Sequence, residues 1–146
     1  MPAPTTAPEA WRRLAGAYWR VSARLEEELA AAGLPGLGWY EVLHALAEAP
    51  DQHLRMCELA ARAQLSRSGL TRLVDRLEQE KLIERISCPQ DRRVLHAQLT
   101  APGARLVRRM QPVHEAGVRR HFAARLKPVE LKQLAAVTDK LLAAES

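Results

Sequence analysis

The stretch from Ser66 to Arg76 has the residue types and spacing to bind a polyanion. Leu70, Leu73, Val74 and Leu77 recur at i, i+3, i+4 and i+7, which marks one buried face of a helix. Arg67, Ser68, Thr71, Arg72 and Arg76 then fall on the opposite face, and Asp75 also projects away from the apolar stripe. Such a helix fits the major groove of DNA, about 12 Å wide, and offers its N-terminal residues to base edges. Ser68, Thr71 and Arg72 are placed to read bases, and Arg67 and Arg76 to meet phosphates. Ser66 is a good N-cap, and backbone N–H groups beside it can take a phosphate.

A second constellation follows at Asp91-Arg92-Arg93. An Asp two residues before an Arg can hold the guanidinium by a charge-assisted hydrogen bond. An Arg held in this way can enter a narrow minor groove, where negative potential is concentrated. The expected roles are Asp91 as orienter, Arg93 as the inserted side chain and Arg92 as a phosphate partner. Each feature alone fits an ordinary solvated surface, and an exposed Asp–Arg pair is worth under about 1 kcal/mol. A basic hairpin directly after a basic-faced helix is a rarer combination.

Other residues suit sensing. Cys88 opens the polar turn, and two Arg close it, so an exposed thiol of lowered pKa is expected there, open to oxidation. Cys57 is expected to be buried, as free Cys often is. The five histidines are His44, His53, His96, His114 and His121. His114 and His121 are seven apart and can share one helix side, so with Glu115 or His44 they could make a zinc site. Hydrogen-bonded or surface histidines are commoner, and no metal ligand set is assigned. Of six aromatics, Tyr18, Trp19, Trp39 and Tyr40 fall within 23 residues. The sequence has no Gly-rich phosphate loop, Cys-x-x-Cys, His-Glu-x-x-His or Gly-x-Ser-x-Gly, so no catalytic residue or cofactor is assigned and an enzyme is not expected.

These residues need a scaffold, and the apolar periodicity supplies one. A first amphipathic helix fits Trp11–Ala32, stopped by Gly33 and Pro35, and a second fits Gly38–Ala49. A short third helix fits Met56–Ala63. After a brief break the basic-faced helix runs to about Glu80, a helix-turn-helix pattern. Leu82–Ser87 and Val94–Leu99 read as two strands around the Asp91–Arg93 tip. Thr100 then caps a long helix to about Arg125, and Pro128 opens a last one to about Ala144. The fold class is mostly α with a small β-hairpin wing: a winged helix-turn-helix over about 38–100. Helices at about 11–33 and 101–144 exceed what that lobe can bury and form the natural dimerisation region. Residues 1–10, with three Pro, read as a disordered lead-in to a single domain over 11–146.

Charge agrees with a polyanionic partner. The 146 residues carry a net charge of +5. Residues 53–110 alone hold 12 basic and 6 acidic side chains, whereas residues 1–52 hold 4 and 7. The basic residues are 18 Arg and 4 Lys, and Arg offers the planar fork that suits phosphate and guanine. No run of about 18 apolar residues argues for a membrane span. Two cysteines make no disulfide framework, so a cytoplasmic location is expected.

The residues from Leu65-Ser66-Arg67-Ser68-Gly69-Leu70-Thr71-Arg72 through Glu78, with Leu82-Ile83-Glu84-Arg85, Asp91-Arg92-Arg93 and Leu99-Thr100-Ala101-Pro102-Gly103, resemble the MarR family of bacterial regulators. The resemblance spans Trp11 to Ala144. It implies a homodimer that binds a pseudo-palindromic double-stranded operator, represses transcription and is released by a small effector. It also implies an effector pocket between the dimerisation helices and the winged lobe. Trp19, Trp39, Tyr40 and His44 are the candidates to line it, around an aromatic or phenolic compound. The alternatives are a redox-responsive regulator sensing through Cys88, or a zinc-responsive one through His114 and His121.

Overall fold

The computed structural model of the chain describes residues 3–88 and 90–143. Helix α1 spans Ala7–Ala31 and so begins four residues before Trp11. Residues 7–10 are helical because Thr6 and Glu9 cap the helix reciprocally. The Thr6 hydroxyl accepts the Glu9 N–H at 3.4 Å, and the Glu9 carboxylate accepts the Thr6 N–H at 2.9 Å. Pro8 lies in the first turn, where a missing N–H costs nothing. Of the expected lead-in, Met1 and Pro2 lie outside the described residues. Gly33 ends α1 at φ +70°. Its N–H bonds the Ala30 carbonyl, and the Leu34 N–H bonds Leu29, both at 3.0 Å.

Helix α2 (Leu37–Glu48), α3 (Met56–Ala63) and α4 (Arg67–Gln79) follow. Gln64, left-handed at φ 56°, breaks α3 from α4, and the Ser66 hydroxyl accepts the Gly69 N–H at 3.1 Å. Between α2 and α3 lies β1 (His53–Arg55), a strand of three residues and too short to show a period. The hairpin strands are β2 (Ile83–Ser87) and β3 (Leu95–Leu99). The sheet is antiparallel with order β1-β3-β2, pairing Ile83 with Leu99 and Leu54 with Ala97. The Nδ1 atoms of His53 and His96 lie 2.9 Å apart across β1 and β3. Helix α5 (Ala101–His121) stops before the expected Arg125, and a 3-10 turn takes Ala123–Arg125. Helix α6 is Pro128–Ala143; Ala144 lies outside the described residues.

One core is shared by α1–α5 and the three strands. Leu29 of α1, Leu43 and Leu46 of α2, Leu59 of α3, Leu77 of α4, Ile83 of β2 and Met110 of α5 are wholly buried together. At Gly103 the first turn of α5 presses on the chain after α4. A Cβ there would run into the Leu82 carbonyl oxygen. Thr100 fixes this contact: its hydroxyl donates to the Lys81 carbonyl at 2.8 Å and accepts the Gly103 N–H at 3.1 Å. Further along, α5 runs against α1, where Glu28 accepts from Arg120 and lies 2.7 Å from His121 Nε2. Helix α6 buries no residue among those described. Its Val129, Val137, Leu141 and Leu142 are exposed, as are Trp11, Tyr18 and Trp19 of α1. Among the described residues no helix is long and apolar enough to cross a membrane.

Candidate nucleic-acid interface and effector cleft

Burial of Leu70, Val74 and Leu77 sets the roll of α4, and its polar residues therefore face outward. Arg67, Ser68, Thr71, Arg72 and Arg76 are all exposed. Their freedom is unequal. The Thr71 hydroxyl donates to the Arg67 carbonyl at 2.9 Å, and the Ser66 hydroxyl is occupied as the cap, 3.4 Å from that of Ser68. The guanidinium groups of Arg67, Arg72 and Arg76 make no hydrogen bond or ion pair with any described residue.

Asp75 does not stand free. It pairs with Arg85 of β2, whose Nη1 also donates to Glu78 at 3.0 Å. The Arg85 backbone N–H reaches the same Glu78 carboxylate at 3.1 Å. Hydrogen bonding to Asp75 holds the Arg85 guanidinium above its ordinary pKa, against the opposing effect of burial. This clamp fixes the α4 axis to the wing. Sequence reasoning left Arg85 out of the site because its partners lie seven and ten residues back, on another element.

At the wing tip Asp91 accepts three bonds from Arg93: the backbone N–H at 3.0 Å, Nε at 3.2 Å and Nη2 at 3.4 Å. These bonds lower the Asp91 pKa, side-chain bond first, and Arg55 of β1 adds to the effect. The Arg93 side chain is 91% exposed, and Arg92 is exposed too. Pro89 of the turn lies outside the described residues. The wing thus presents an oriented guanidinium on the same body as the α4 face.

The two cysteines are reversed from expectation. Cys88 is 5% exposed just past the end of β2, where its N–H closes the hairpin on the Val94 carbonyl at 2.9 Å. Cys57 is exposed in the first turn of α3. A covered thiol does not fit the exposed redox sensor expected at Cys88. His114 and His121 are not brought together as ligands either. His121 pairs with Glu28, whereas the His114 ring stacks on Tyr40 with centroids 4.0 Å apart. Among the described residues no group of three His, Cys, Asp or Glu could hold a metal.

A cleft of about 710 Å³ opens between α1, α2, α6 and the end of α3. Its walls include Leu14 and Tyr18 of α1, Glu41 of α2, Gln64, Phe122 and Leu134 of α6. Trp19, Trp39, Tyr40 and His44 do not line it. Helical phase explains why. Tyr40 and His44, four apart on α2, face α5 and stack with centroids 5.2 Å apart. Trp39 packs on the core, and Trp19 is 73% exposed on the outer side of α1. Glu41, one position on from Tyr40, turns to the cleft instead. Burial pushes the Tyr40 phenol up to about 12.

Comparison with known proteins bears on this arrangement. The MarR family model matches residues 32–94, from the end of α1 through the wing tip. The transcriptional repressor MprA of Escherichia coli K12 is 35% identical over 96 residues, which are 65% of this chain and 54% of that protein. The chain thus spans about half the length of that relative. Among solved structures, AbsC of Streptomyces coelicolor is 34% identical with a TM-score of 0.82, covering 96% of this chain and 95% of that one. Sco3205 of the same organism, solved in complex with DNA, is 34% identical with a TM-score of 0.83 and covers 97% and 89%. Both are MarR family transcriptional regulators, and the likeness runs through the helices that flank the winged lobe as well as the lobe itself. With α4 clamped to a wing tipped by Asp91 and Arg93, the chain belongs to the MarR family of transcriptional regulators.

Proposed function

We propose that the chain binds a pseudo-palindromic operator as a homodimer and represses transcription until a small molecule in the cleft releases it. In this reading α4 of each copy enters a major groove, Ser68, Thr71 and Arg72 read bases, and Arg67 and Arg76 hold phosphates. Arg93, aimed by Asp91, enters the flanking minor groove, and Arg92 meets the backbone. The observation that carries the reading is the pairing of an exposed basic helix face with an oriented, 91% exposed Arg93 on one rigid lobe. A solvated surface has no need of two side-chain bonds and a backbone bond to one carboxylate to aim a guanidinium outward. The exposed apolar side chains of α1 and α6 support the dimer, since monomeric proteins rarely leave large contiguous patches uncovered. The DNA complex of Sco3205 and the repressor role of MprA support the target and the sign.

The test is a fluorescence-anisotropy titration against the DNA upstream of the chain's own gene, with a scrambled duplex, at several salt concentrations. Tight, sequence-preferring binding with a steep negative salt slope is expected, because each neutralised phosphate releases counterions. Equal, weak binding to both duplexes would overturn the operator reading.

A further inference from the structure

The cleft between α1, α2 and α6 is apolar with charge of one sign. Among the described residues that line it, Glu41 is the only charged side chain, and no Lys, Arg or His joins it. Its carboxylate makes no hydrogen bond or ion pair with any described residue. Burial holds the carboxyl above its usual range, and the charge of His44 one turn along α2 offsets only part of this. Arg20, Arg24 and Arg125 line a second cleft, which shares Ala17, Val21, Phe122 and Leu134 with the first as a common wall. A half-buried carboxylate with no partner leaves its desolvation uncompensated, and an opposite charge brought against it restores the ionised form. The cleft volume lies within the range that holds a drug-sized molecule.

We propose that this cleft takes an amphipathic organic cation, with its apolar, ring-bearing body against Tyr18, Phe122 and Leu134 and its ammonium or amidinium group on Glu41. The proposal rests on the reading of the cleft as the effector site and names the class of effector. Organic anions of similar size are disfavoured there, because their charge would face Glu41 in an apolar wall.

Calorimetric titration of the full chain with phenylbutylamine, phenylbutanol and phenylbutyrate tests this, since the three share a skeleton and differ in charge. The amine should bind about tenfold more tightly than the alcohol, as a charge-assisted bond allows, and the carboxylate more weakly than either. Glu41→Gln should bring the amine to the affinity of the alcohol and leave the alcohol unmoved. The wild-type series decides the matter even if the variant folds poorly. Binding of the alcohol with no advantage for the amine, or with the carboxylate tightest, would overturn the cation proposal and leave the effector cleft standing. Failure of all three, in a preparation that still binds operator, would overturn both, the cleft then being closed by a second copy of the chain.

Discussion

Arg93 has one described partner, Asp91, and the pair is exposed, so neither contributes much to folding. Arg93→Ala should therefore lower operator affinity by about tenfold or more while leaving Tm unchanged, the scale of losing a hydrogen bond to a charged group, about 1.5–3 kcal/mol. Anisotropy titration beside a thermal melt separates the two effects; equal loss in both would make Arg93 structural. His114 gives a prediction about pH. Burial first, and the neighbouring charge of His44 second, lower its pKa, with Glu115 opposing. The unfolded chain takes up this proton near pH 6.5, and the folded chain does so only lower. Stability is therefore full above pH 6.5 and falls as the pH drops through that value toward the folded pKa. Melts between pH 7.5 and 5 should show the decline, and His114→Phe, which keeps a ring against Tyr40, should flatten it.

At the level of elements, the Leu99–Gly103 junction and the Asp75–Glu78–Arg85 clamp hold the wing in place. Gly103 is needed for close approach and not for its backbone angles. Any Cβ would drive into the Leu82 carbonyl, which cannot swing away as a side chain could. Gly103→Ala should cost about 2 kcal/mol, the scale of an overpacked core, and lower Tm by several degrees. A thermal melt unchanged from wild type would show that α5 can shift freely on β2. Helix boundaries were mostly legible, since a 3.6-residue period and Ser, Thr, Gly and Pro signals mark them locally. The start of α1 at Ala7 was obscured by proline content, although Thr6 and Glu9 carried the capping signal. Strand β1 was not legible, because three residues show no alternation and its pairing with β3 is made 43 residues away.

The whole molecule is a winged lobe and α1–α5 body with α6 left uncovered. Removing residues 127–146 should yield monomer or aggregate, because the apolar faces of α1 and α6 would lose their partners. A well-folded dimer by light scattering would contradict this. The sequence alone determined the order of the helices and the hairpin, the basic face of α4, the Asp91–Arg93 tip and the family likeness. These depend on contacts within a turn or two, which spacing records. Only the tertiary structure decided which residues face the cleft, that Cys88 is covered and Cys57 is not, and that Arg85 locks α4 to the wing. It also separated His114 from His121. Those outcomes depend on how one element rolls against another, and adjacent residues such as Tyr40 and Glu41 go to opposite environments for a rotation of about 100°.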